Sequence, residues 1–206
     1  MTRAVLIASL LFAPMGAHAQ SDAERWARSY AAEAGGDYAA ALSEHLQISG
    51  PTRRGYLFHL RHGWLLYATE RFEEALAPYR RAAESQPNAV EARLGLMLPL
   101  MALRRWREVV AVARRIHEVD RHNVTARRRL ALALFSLGRF DDALVEYERV
   151  LALWPGDLEM QAGVGWSQLR LGRSREAAQT FAAVLAVSPH YASAIEGARL
   201  ANGSAH

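Results

Sequence analysis

The chain contains no cysteine and no lysine. Without a thiol there can be no disulfide, no thiolate nucleophile, no thiolate metal site and no lipid-modified cysteine. All 25 basic residues are arginine, which points first to a GC-rich coding bias and only second to chemistry. No apolar run reaches the ~18–20 residues that a membrane-spanning helix needs. Charge of either sign is modest, since a formal +4 over 206 residues is too mild to imply nucleic acid as a partner. What remains is 51% apolar and 22% charged, with 14 glycines and 7 prolines. That composition is globular, and the length allows one large or two small domains with ample core.

The first nineteen residues, MTRAVLIASLLFAPMGAHA, read as an address. Arg3 precedes a nine-residue apolar stretch from Ala4 to Phe12, Pro14 and Gly16 break it, and Ala17-His18-Ala19 places small residues two apart. This is the three-part pattern of a cleavable secretory signal, with cleavage expected after Ala19. The mature chain would start at Gln20 and, having lost Arg3, carry 4 − 1 = +3. With no second anchor, the expected location is the periplasm of a bacterium.

The remainder repeats. GRFDDALVEY (138–147) aligns with ERFEEALAPY (70–79) and GRSREAAQTF (172–181) at separations of 68 and 34. Five ungapped units follow, at 22–55, 56–89, 90–123, 124–157 and 158–191, with residues 192–203 left as a capping helix. Position 15 holds Gly36, Glu70, Arg104, Gly138 and Gly172, and glycine there suits the left-handed residue after a first helix. Position 17 holds Tyr38, Phe72, Trp106, Phe140 and Ser174; position 20 holds Ala41, Ala75, Val109, Ala143 and Ala177. An apolar stripe at 3- and 4-residue steps from position 17 marks a second helix, and Pro87, Pro155 and Pro189 at position 32 end it. Each unit is a helix–turn–helix that buries its apolar face only by stacking on its neighbours.

At this spacing the chain resembles the tetratricopeptide repeat family over residues 22–191. The family's small residue at position 8 is mostly respected, by Ser29, Gly63, Ala131 and Gly165 but not Met97. Its large aromatic at position 4 is absent, replaced by Arg25, His59, Arg93, Arg127 and Gln161. The apolar role shifts to neighbours such as Phe58, Leu96 and Leu130, and units one and three are degenerate. The resemblance implies an all-α, right-handed solenoid whose first helices line a concave groove. Carried onto this sequence, the groove residues are Trp26, Tyr30, Leu60, Trp64 and Tyr67, then Leu94, Leu98 and Met101. Arg128, Leu132, Phe135, Trp166, Leu169 and Arg170 continue it. In unit three, Pro99 sits midway through the first helix, where a kink is expected.

Such an apolar, aromatic groove suits an amphipathic helix or an extended peptide bearing an acidic group. Its competing occupants are the chain's own cap and a second copy of the chain. Charge is uneven along the array: nine arginines from Arg104 to Arg129 face three acids, a local +6. This stripe is either a solvated outer face or a site for an acidic partner.

No catalytic constellation is present in the sequence. His59 and His62 could share a helical face, but no third ligand is spaced to join them in a metal site. Gly163-Val164-Gly165 lacks the third glycine and the strand of a dinucleotide loop. Glu73-Glu74 and Asp141-Asp142 open second helices, where they favour the helix dipole. The expected function is therefore a periplasmic adaptor that holds a protein or peptide partner in an envelope assembly, without cofactor, metal, nucleic acid or membrane insertion. A holdase for unfolded envelope proteins is the alternative.

Overall fold

The second helices begin at Tyr38, Phe72, Trp106, Phe140 and Ser174, one every 34 residues. They belong to a computed structural model that describes the backbone of residues 16–203 and the side chains of 22–203. Among these residues there are eleven α-helices, a short 3₁₀ turn at Pro51–Arg54, and no strand. The pairs are α1 (Gly16–Ala34) with α2 (Tyr38–Leu46), α3 (Tyr56–Ala68) with α4 (Phe72–Ser85), and α5 (Glu91–Ala102) with α6 (Trp106–Val119). Then follow α7 (Val124–Ser136) with α8 (Phe140–Leu151), α9 (Leu158–Arg170) with α10 (Ser174–Val187), and a final α11 (Ala192–Gly203). The expected leader lies outside the described residues, apart from the backbone of its last four, which opens α1.

Every helix packs on its neighbour in sequence, and α3, α5, α7, α9 and α11 also touch one another in series. The first helices thus form one layer and the second helices another, which makes an all-α solenoid. Its core is columnar. Position 20 (Ala41, Ala75, Val109, Ala143, Ala177) and position 27 (Ile48, Ala82, Ile116, Val150, Val184) are fully buried in all five units. Phe58, Leu96 and Leu130 are buried on the first helices, where the family's position-4 aromatic is missing.

The third column is position 24, and it is coupled to the next unit. Tyr79, Tyr147 and Phe181 lie there, and their rings rest on Gly95, Gly163 and Gly197, each sixteen residues later. A β-carbon on any of these glycines would stand within 2.2–2.6 Å of a ring carbon. In units one and three, position 24 holds His45 and Ala113, and the residues sixteen later are Arg61 and Arg129. Ring meets glycine in units two, four and five, while units one and three carry arginine where the others have that glycine.

Local capping sets the period. All five residues at position 15 adopt positive φ: Gly36 (80°), Glu70 (60°), Arg104 (55°), Gly138 (76°) and Gly172 (78°). For a residue with a β-carbon this conformation costs about 1 kcal/mol or more. Glu70→Gly and Arg104→Gly should each therefore raise stability by about 1 kcal/mol, read as an upward shift of the thermal midpoint. Asp37, Asn123 and Asp157 cap α2, α7 and α9 through side-chain bonds to the amides of Ala40, Ala126 and Met160. Helix α5 runs continuously through the buried Pro99, and α4 likewise carries Pro78 in its interior. The first unit departs most from the pattern. Its α2 is only nine residues long, and the loop after it is tied to α1 by the Asp22 carboxylate, which accepts from the amides of Ser49 (3.1 Å) and Gly50 (2.8 Å).

Candidate functional site

Two cavities open between successive first helices. The larger, of about 540 Å³, is bounded by α5, α7, α9 and the start of α11, with Tyr147 of α8 at its floor. The smaller, of about 320 Å³, lies between α1, α3 and α5 over the ring of Tyr79. Both are of the size at which apolar pockets take side chains or small ligands.

The larger cavity brings together Met101, Arg128, Leu132, Phe135 and Trp166 from the sequence-derived set. The smaller gathers Tyr30, Leu60, Trp64 and Leu98. Tyr67 and Leu94 pack half-buried against the main core between the two, and Leu169 packs against the terminal cluster around Phe181. Trp26 lies edge-on to His45 of α2 and Phe58 of α3, so much of its ring serves the packing of the first unit. Arg170 is exposed at the end of α9. The structure adds residues to the larger cavity that the sequence did not single out: Arg129, Tyr147, Gly163, Tyr191 and Ser193. The Arg127-Arg128-Arg129 run was the available signal for the first of them.

The smaller cavity is already served by the chain's own charges. The Arg61 guanidinium is buried and donates to Glu33 at 2.5 Å and to the Ser29 hydroxyl at 2.9 and 3.2 Å. It lies over the Tyr30 ring, 3.6 Å from the centroid. Trp64 donates its indole N–H to the other Glu33 oxygen at 2.6 Å. This network ties α1 to α3. It makes Glu33 an internal occupant of the groove.

The comparisons agree with this architecture. A tetratricopeptide repeat model matches residues 134–199, and a second matches 60–96 and 100–157. The chain belongs to the tetratricopeptide repeat (TPR) family. No curated protein matches it in sequence. Among solved structures, a TPR protein from Parabacteroides merdae superposes with a TM-score of 0.80 at 15% identity, over 90% of this chain and 74% of that one. MamA from Desulfovibrio magneticus RS-1 (residues 41 to the end) gives 0.77 at 14% identity, over 84% and 97%. A further MamA crystal structure gives 0.74 at 16% identity, over 81% and 91%. At these identities the likeness shows the fold alone. TPR proteins serve in general as non-catalytic scaffolds that bind other proteins.

Two arginines sit side by side in the larger cavity of this TPR array and differ in kind. Arg128 is neutralised: its guanidinium bonds Asp157 and, at 2.6 Å, Glu159. Arg129 is half-buried and, among the described residues, donates only to the Leu94 carbonyl, at 2.6 Å. Burial lowers its pKa from the usual arginine range, and the titrating groups that oppose this are the phenols of Tyr67 and Tyr79. Of the Arg104–Arg129 stripe, Arg105, Arg115 and Arg127 are paired to Glu73 and Glu108, Glu118, and Glu146. Arg104, Arg107, Arg114 and Arg121 are exposed to solvent.

The histidines form a separate cluster around Phe58. His45 stacks on that ring at 4.2 Å and stands 5.6 Å from His62. Burial, helped by the charges of His62, Arg61 and Arg53, holds His45 down at about 3. Burial likewise lowers His62 to about 4. Among the described residues no three His, Asp or Glu side chains are grouped to hold a metal ion.

Proposed function

We propose that this chain is a periplasmic adaptor that holds one partner polypeptide along its first-helix groove within an envelope assembly. The observation that carries this reading is the larger cavity. Its walls are half-exposed methionine, leucine, phenylalanine and tryptophan, an apolar surface that gains most by being covered. Leu132 in that wall is 37% exposed. Secretion is supported by the three-part leader pattern of residues 1–19, and its test is the N-terminus of the protein from periplasmic extract, expected at Gln20. No helix among the described residues is long and apolar enough to cross a membrane.

Placing a carboxylate in the groove tests the assignment. Leu132→Asp should weaken capture of the partner from envelope extract at least about tenfold, because a charge must be desolvated to bind. Val145→Asp, on the exposed side of α8, should leave capture unchanged. Equal loss in both variants, or in neither, removes the groove as the binding face. Capture of many unrelated apolar polypeptides in place of one protein turns the reading to a holdase.

A further inference from the structure

The repeat provides its own internal control for the charge in the groove. Arg61 and Arg129 occupy the sixth position of the second and fourth units, 68 residues apart, and both line a groove cavity. For Arg61, the preceding first helix presents Ser29 and Glu33, which take three of its N–H groups. For Arg129, the same two positions of the preceding helix hold Met97 and Met101. Among the described residues its guanidinium makes one bond, to the Leu94 carbonyl, and no carboxylate pairs with it. Among the described residues the buried side-chain nitrogens and oxygens without a partner are His45 Nδ1 and Nε2 and His59 Nδ1, so the remaining Arg129 nitrogens are not sealed from solvent. Arg129 lines the 540 Å³ cavity. The other cation and the acid in that wall, Arg128 and Glu159, satisfy each other.

Space alone does not explain the residue. Methionine or leucine at this half-buried position would be apolar throughout, whereas an unpaired cation is costly to bury. We infer that Arg129 is the charge anchor of the groove, receiving a carboxylate from an acidic side chain of the bound polypeptide, next to a bulky apolar residue seated against Met101, Phe135 and Trp166. The bound acid takes the place that Glu33 holds beside Arg61. Planar guanidinium suits this, because it offers two parallel donors to one carboxylate. The inference rests on the groove being a binding face.

The test is selection of a random-peptide display library on the full mature chain, on Arg129→Met and on Met101→Glu, with each variant's melting curve recorded. Met101→Glu rebuilds the Glu33–Arg61 pair within the chain and should raise the thermal midpoint. The wild type should enrich peptides with Asp or Glu beside Leu, Phe or Trp. Arg129→Met should keep the apolar preference and lose the acidic one, and Met101→Glu, which also changes the apolar seat, should lose the acidic one. A synthetic peptide from the wild-type pool should bind about tenfold or more weakly when its acid is changed to the amide, on the strength of a charge-assisted hydrogen bond. That last comparison uses only the wild-type protein and stands if a variant fails to fold. Apolar peptides without an acid, or an acid preference that survives Arg129→Met, overturn the anchor and leave the groove. No enrichment on the wild type removes the groove reading itself.

Discussion

Gly95→Val should destabilise the protein by about 3 kcal/mol or more, shifting its thermal midpoint down by roughly 10 °C for a chain of this size. A β-carbon at Gly95 would lie 2.2 Å from Cε1 of Tyr79. Tyr79 is 2% exposed, and Gly63 of its own unit also lies against the ring, which stands 2.7 Å from where a β-carbon would be. The ring cannot retreat, so the helices α3, α4 and α5 must separate. Even Gly95→Ala should cost more than helix propensity returns. The decisive comparison is a double-mutant cycle with Tyr79→Leu. Gly95→Ala should be nearly harmless once the ring is gone, giving an interaction energy of about 2 kcal/mol. Gly156→Ala, where nothing stands within 4 Å, should stay within about 0.5 kcal/mol. Additive effects of Gly95→Ala and Tyr79→Leu would refute the ring-on-glycine joint.

Acid should loosen the first two units before the rest. His45 is fully buried, and neither ring nitrogen has a hydrogen-bond partner. The Phe58 backbone favours the charged ring only weakly, at a geometry short of a full bond. The charges that face it are Arg53, Arg61 and His62, all of the wrong sign for a protonated ring. In the unfolded chain the imidazole titrates near 6.5 and in the folded one near 3. Between those values the unfolded state holds the extra proton. Stability is therefore complete above about pH 6.5 and drains as pH falls toward 3. From pH 7 to pH 5 the loss from His45 alone is about 2 kcal/mol, and His62 adds to it in the same direction. Chemical denaturation at both pH values measures this. His45→Leu should flatten the profile, and an unchanged slope in that variant would show that other groups govern the acid response.

The solenoid was legible because its period is written in residues with few substitutes. Glycine at position 15, small residues at position 20 and proline at position 32 each answer a local geometric demand. Even Glu70 and Arg104, which break the glycine column, keep its left-handed backbone, so stacking overrides the local cost. The rotation of the first helices was harder to read, since the usual position-4 aromatic is missing and Phe58, Leu96 and Leu130 supply the burial from other positions. The pairing of Tyr79 with Gly95 was not legible along one unit. It joins residues sixteen apart across a unit boundary, and only the stacked structure shows that they meet. The same holds for the site. Apolar residues at groove positions could be named from the repeat, but which arginine is neutralised depends on Asp157, at the far end of the same unit, and Glu159, in the next. Arg128 and Arg129 look alike in sequence; their partners separate them.

The central claim is that the first-helix face of units three to five holds a partner. It is tested most directly by photo-crosslinking in the living cell from position 132, on the wall of the larger cavity, and from position 145 on α8, followed by mass spectrometry. The account predicts one envelope protein joined at 132 and absent at 145. Joining at 145 alone, or a crosslink at 132 only to the chain itself, would contradict it.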